Sequence, residues 1–325
     1  MTLRGLLAVA VLLTWPCLVG AQNIPRIGYL ATGAAPDSTH LQQAFFQGLR
    51  ERGYIEGKTI HVERRFADRK PERLPDLAAE LVRQKVNLIV AETTPAVRAA
   101  KQATTSIPIV MTAVADAVGS GLVASLARPG ANVSGLSFLG TELVAKRLEV
   151  LREAVPGATR IVVLWHPGAH GEGTVKRMRE ETESAAATMG LTLQWVPARG
   201  RSDLEKAFVE MTQHKPHALL LWPSPMFLAE RNRIVELAAQ NRLPAIYYVR
   251  EYAEAGGLMS YGHSLPDLFR RAATYVDRIL KGAKPAELPV EQPSLFELVV
   301  NLKAAQRIAL AMPKPLVLRA DQAIE

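Results

Sequence analysis

From Arg26 onward, short runs of aliphatic and β-branched residues alternate with longer stretches whose apolar positions recur at helical spacing. Ile27 to Leu30 reads as a buried strand, and Gln42 to Arg52 as a helix carrying Ala44, Phe45 and Leu49 on one side. Thr59 to Phe66 alternates as a strand does. Pro71 to Lys85 is amphipathic, with Leu74, Leu77, Ala78, Leu81 and Val82 on one stripe and Pro near its start. Leu88 to Ala91, Pro95 to Ala103 and Ile107 to Thr112 continue as strand, helix, strand.

A second series follows Gly140. Helical patterns at Leu143 to Val155, Thr174 to Met189, Leu204 to Gln213 and Ala229 to Asn241 alternate with strand patterns at Arg160 to Trp165, Leu191 to Val196, Ala218 to Trp222 and Ala245 to Val249. Strands alternating with helices of this length predict parallel sheets covered on both faces. The fold class expected is therefore α/β, with two doubly wound parallel-sheet lobes. The first lobe is expected over 22–135 plus about 263–288, and the second over 136–262 plus about 289–325. Three segments would cross between them: Pro129 to Gly135, Gly256 to Gly262, and the connector holding Pro285, Pro289 and Pro293. Leu265 to Lys281 would return to the first lobe as a helix. Leu298 to Asn301 and Leu302 to Met312 would close the chain as strand and helix.

Composition narrows the class without naming a function. The chain has 325 residues, 48% hydrophobic and 22% charged, enough apolar surface for about two cores. Residues 1–21 differ from the rest: Arg4 is the sole charge, Leu6 to Leu13 is apolar, and Val19-Gly20-Ala21 precedes Gln22. This is the pattern of a cleaved secretory signal peptide, and it is too short to span a membrane comfortably. Cys17, the single cysteine, lies inside it; Trp15 and Pro16 before it argue against a lipid anchor. The formal charge of +8 is dispersed rather than gathered into a basic, aromatic-interleaved block, so nucleic acid is not expected as a partner.

In open parallel sheets a ligand sits beyond the carboxyl ends of the strands. The loops there hold Thr32, Thr93-Thr94-Pro95, Asp116, Ser224, and Tyr248 to Tyr252. Thr94 either caps the helix that Pro95 begins, or joins free amides in holding an anion. Asp116 either binds a ligand ammonium or caps the segment near Ser120. The tyrosines, Tyr261 among them, either wall a cleft or pack inside a lobe. Enzyme signatures are lacking: there is no dinucleotide fingerprint, Walker lysine motif or nucleophile elbow. Pro167-Gly168 breaks the helix that would align His166 and His170 on a metal. Neither metal nor cofactor is expected.

Longer motifs carry a resemblance. Ala124 to Gly130 with Asn132-Val133-Ser134-Gly135, then Glu254 to Gly262, Ile279 to Pro285, Leu288 to Pro293 and Asn301 to Ala305 resemble the ABC transporter substrate-binding protein family that includes the TrpX-like proteins. The resemblance spans nearly all the chain beyond residue 21. It implies a type I periplasmic binding fold with a three-crossing hinge, a small solute between the lobes, and a membrane permease as partner. Where the family usually has Asp-Pro, this chain has Asp116-Ala117.

The function expected is an extracytoplasmic, periplasmic and monomeric solute-binding protein of an ABC-type importer rather than an enzyme, with an amino acid or related compound as solute. Thr32, Thr93, Thr94 and Asp116 from one lobe and Ser224, Tyr248, Glu251 and Tyr261 from the other are its expected contacts, with Asp116 or Glu251 facing a cationic group. An exported ligand sensor for a membrane receptor is the alternative, followed by an exported α/β enzyme.

Overall fold

The computed structural model describes residues 24–138 and 143–325; the expected signal peptide lies outside them. The first sheet holds β1 (Arg26–Ala31), β2 (His61–Phe66), β3 (Leu88–Ala91), β4 (Ile109–Val114) and β5 (Val133–Ser137), all parallel in the order β2-β1-β3-β4-β5. Its central strands are the unbroken apolar runs of the sequence, because helices cover both faces: α1 (Thr39–Arg50) on one, α2 (Leu74–Arg83) and α3 (Thr93–Ala103) on the other. Phe45 and Leu49 of α1 pack under Tyr29 and Val90, whereas Leu77 and Leu81 of α2 pack under Leu30 and Ile89.

The second sheet begins after α4 (Leu143–Ala154). It comprises β6 (Arg160–Trp165), β7 (Thr192–Pro197), β8 (Ala218–Leu221), β9 (Ala245–Tyr247), β10 (Met259–Gly262), β11 (Glu297–Asn301) and β12 (Gln322–Ile324). Their order is β12-β11-β10-β9-β8-β6-β7, parallel throughout except where β10 meets β11. The intervening helices are α5 (Glu172–Thr188), α6 (Arg201–Gln213), the single-turn α7 (Pro225–Ala229), α8 (Arg231–Gln240) and α9 (Arg250–Glu254). Helix α10 (Leu265–Leu280) then leaves this lobe and lies along α1 and over β4 and β5. Two short helices, α11 (Leu302–Arg307) and α12 (Lys314–Arg319), lead into β12.

The two-lobe α/β architecture follows the hydrophobic pattern, with shifted junctions. The first sheet runs past the expected division at residue 135, since β5 continues to Ser137. The return crossing lies after 289 as well: Glu291 exchanges backbone hydrogen bonds with Gly135 and Ser137 at 3.0 Å each. Both glycine-rich segments expected as crossings contain strands. At Gly135 the backbone turns through a positive φ of 132°, and a Cβ would meet the Met111 carbonyl at 2.3 Å. At Gly262 a Cβ would meet the Tyr248 carbonyl at 1.9 Å. Glycine here serves close strand approach, not looseness. The helix expected over 302–312 stops at Arg307, beyond which Ala309 takes a positive φ and Pro313 breaks the pattern.

Candidate functional site

Sheet order reverses at β1/β3 in the first lobe and at β6/β8 in the second. Loops leaving these strands diverge and open a crevice at each sheet's carboxyl edge. The two crevices face each other and form one cavity. From the first lobe it is lined by Thr32, Asp37, Ser38, Leu41, Glu92, Thr93, Thr94, Ala113 and Ala115. From the second come Ala169, His170, Pro223, Ser224, Leu228 and Tyr248, and Phe138, Leu265 and Phe269 close it near the crossings.

The first wall is built around the start of α3. Its N-cap is Glu92, which makes no side-chain cap bond, so the first-turn amides are left without a side-chain partner. Thr94, expected as a possible cap, instead sits inside the first turn and is buried. Thr93 has φ of 61°, a left-handed conformation that a β-branched residue adopts only under strain. The Thr93 hydroxyl is tied to that of Thr32 at 2.8 Å, joining the loops after β1 and β3.

Glu92 is 5% exposed and takes both its hydrogen bonds on Oε1, from the Tyr29 hydroxyl and from Ser38 Oγ at 3.3 Å. Burial pushes its carboxyl up to about 7 against the lowering effect of those two donors. Asp37 differs. Burial raises its carboxyl, but the Arg69 guanidinium, bonded to both its oxygens, and the Ala34 amide outweigh burial and hold it below the usual range.

The second wall is mostly apolar. Ser224 caps α7 by accepting from the Phe227 amide, and the Tyr248 hydroxyl donates to the Ser224 carbonyl at 3.0 Å. His170 Nε2 donates to the Pro223 carbonyl at 2.8 Å. Burial lowers the His170 imidazole to about 4, so this wall presents a neutral ring.

Five expected contacts therefore line the cavity together: Thr32, Thr93, Thr94, Ser224 and Tyr248. Three lie elsewhere. Asp116 accepts from the Gly119 amide at 2.8 Å and reaches across to α5, where Thr174 donates at 3.0 Å and Arg177 forms an ion pair. Glu251 is buried outside the cavity and pairs with His40 of the first lobe at 3.2 Å. Tyr261 stands in β10 against the core on the far side of the second sheet, near Phe296. Sequence reading missed Glu92, Ser38, His170 and the apolar Leu41, Phe138 and Phe269. Glu92 had one available signal: it directly precedes Thr93 at the mouth of α3. Among the described residues no cluster of three or more His, Cys, Asp or Glu is placed to hold a metal, and no helix is long and apolar enough to cross a membrane.

Known proteins resemble this chain in sequence and fold. The chain is 26% identical over 291 residues to a tyrosine-binding protein of Clostridioides difficile strain R20291, covering 88% of this chain and 82% of that one. A conserved domain protein from Vibrio cholerae superposes with a TM-score of 0.86 at 28% identity, covering 92% of this chain and 99% of the other. The ABC domain from Streptococcus pneumoniae in complex with L-Trp superposes at 0.85 with 25% identity and the same coverage. These relatives share the type I periplasmic binding fold. Residues 34–324 match the family described as ABC transporter substrate binding protein, and the chain belongs to that family.

Proposed function

We propose that this chain is the extracytoplasmic solute-binding component of an ABC-type importer, holding an amino acid or a related compound between its lobes and delivering it to a membrane permease. The observation that carries this reading is the cavity between the lobes, with the uncapped start of α3 and strained Thr93 on one wall. Free amides and hydroxyls at a helix start suit a carboxylate. Leu41, Phe138, Leu228, Leu265 and Phe269 suit an apolar or aromatic side chain. The tyrosine-binding relative and the L-Trp complex support the same class of solute.

A solute touching both walls has more contacts when the lobes are together, so its differential affinity draws the lobes closed. Residues 1–21 are read as the export signal removed from the mature, monomeric protein. A thermal-shift screen of the purified protein against amino acids, small carboxylates and amines tests the proposal. Amino acids with apolar side chains should raise the melting temperature, because a ligand of the folded state stabilises it. Thr94→Ala should diminish the shift. Stabilisation by none of these compounds would sink the reading, and chemical conversion of a hit would turn the case to catalysis.

A further inference from the structure

An amino acid bound at the start of α3 brings an ammonium group as well as a carboxylate. The sequence offers Asp116 and Glu251 for that charge, yet each already has a basic partner in the opposite lobe, Arg177 and His40 respectively. Two carboxyls line the cavity itself. Asp37 is neutralised by Arg69 through a two-point ion pair. Glu92 forms no ion pair among the described residues, and His40, which acts on it through space, is paired with Glu251.

The setting of Glu92 is that of a prepared acceptor. Tyr29 and Ser38 both donate to Oε1, leaving Oε2 for a ligand. The Tyr29 hydroxyl is fully buried on β1 and its own ionisation is pushed well above the usual range, by burial first and then by the Glu92 charge, so it stays a donor. Glu92 is also the residue immediately before the first turn of α3. One carbon separates the carboxylate and ammonium of an α-amino acid. A ligand whose carboxylate meets the first-turn amides thus carries its ammonium to the residue beside them.

Resting on the reading of this cleft as an amino-acid site, we propose that Glu92 is its cation anchor, receiving the ammonium of the solute on Oε2 and releasing a proton as it does so. Glu92 starts from an unusual state, since burial holds its carboxyl near 7. An ammonium within hydrogen-bond reach favours the ionised form and drives the proton out. The groups facing this carboxyl are Tyr29 from β1, with Arg64 of β2 behind it, and Asp37, Ser38 and His40 from the segment entering α1; His170 lines the cavity from the second lobe. Asp37 pushes the Glu92 carboxyl up and His40 draws it down. His170, neutral down to about 4, contributes no proton near neutral pH.

Calorimetric titration with L-tryptophan, L-phenylalanine and L-leucine, each beside the acid lacking its amino group, tests the anchor. The amino acids should bind at least about 30-fold more tightly than their des-amino acids, the range expected when one partner of a buried charged pair is removed. Glu92→Gln, which is isosteric, should bring the amino acids to the level of those acids. Wild-type affinity for amino acids should rise from about pH 6 to about pH 8 and level off, and Glu92→Gln should remove that slope. Difference infrared spectra of the wild type should lose a protonated-carboxyl band on binding, a readout that needs no variant to fold. Des-amino acids binding as tightly as amino acids, or Glu92→Gln retaining affinity within about threefold, a margin of about 0.7 kcal/mol, would overturn the anchor and leave the solute-binding reading intact. Binding by neither series would remove both.

Discussion

The two walls of the cleft are made of different material. The first-lobe wall gathers Thr32, Ser38, Glu92, Thr93 and Thr94, hydroxyls and a carboxyl around an uncapped helix start. The second-lobe wall offers Ala169, Pro223, Pro225, Leu228 and Ala229, and spends its polar groups on itself: Ser224 on α7, Tyr248 on the Ser224 carbonyl, His170 on the Pro223 carbonyl. One wall keeps unspent hydrogen-bonding capacity at a cost in stability, and the other turns its polar groups inward and leaves the buried His170 Nδ1 without a partner. The difference suggests a division of labour in which the first lobe orients a solute and the second covers it.

The largest expected effect comes from the group that costs the first wall most. Folded, the Glu92 carboxyl keeps its proton to about 7; unfolded, it loses it near the ordinary glutamate value of 4.5. Between those values the folded chain binds more protons than the unfolded one, so this residue's contribution to stability falls as pH rises. The loss reaches about 3 kcal/mol in full and is complete above neutral pH. Glu92→Gln has no such titration. In the absence of solute its stability relative to wild type should climb between about pH 5 and about pH 8 in urea unfolding. Parallel stability profiles for the two proteins would break the contrast, because the first wall would then carry no stored cost.

A smaller effect separates the walls by sign. Thr93→Gly relieves a left-handed φ and should stabilise the empty protein by about 1 kcal/mol, while weakening solute binding through the lost hydroxyl. Ser224→Ala on the opposite wall removes the cap of α7 and should destabilise by about 1 kcal/mol. Thermal melts of the two variants, with and without solute, compare them directly. Destabilisation by both would mean that Thr93 is held by ordinary packing rather than under strain.

Much of this geometry was legible in the sequence, for a physical reason. Central parallel strands are buried on both faces, so Ile27 to Leu30, Leu88 to Ala91, Arg160 to Trp165 and Ala218 to Leu221 announce themselves as apolar runs. Once the strands are placed, the loops at their carboxyl ends follow, and with them Thr32, Thr93, Thr94 and Ser224. Less visible were features fixed by contacts distant in sequence. A glycine-rich stretch such as Gly256 to Gly262 hides a strand because the neighbouring Tyr248 carbonyl excludes any Cβ at Gly262. Asp116 looks free until α5 brings Thr174 and Arg177 to it from about sixty positions away. Glu92 looks like a surface charge at a strand end, and only the approach of Tyr29 and Ser38 shows it to be buried.

The smallest effect concerns the rim, where the lobes meet outside the cavity. Asp116 bridges to Thr174 and Arg177, Ser120 Oγ lies 3.1 Å from Thr174 Oγ1, and Arg69 reaches Glu230 at 3.3 Å. These bonds join side chains of the two lobes, so on the proposed hinge motion they form on closure and favour it whatever the solute is. Arg177 is 48% exposed, which keeps the pair in well-screened surroundings. Its worth should be at most about 1 kcal/mol, and Asp116→Asn should weaken binding by no more than about fivefold. The loss should be equal for an amino acid and its des-amino analogue, and should shrink at high salt as screening erases the wild-type advantage. Calorimetry at low and high ionic strength measures both features. If Asp116→Asn instead abolished the preference for the amino group, the rim carboxylate would be reaching the solute, and the assignment of orientation to the first wall's interior would fail.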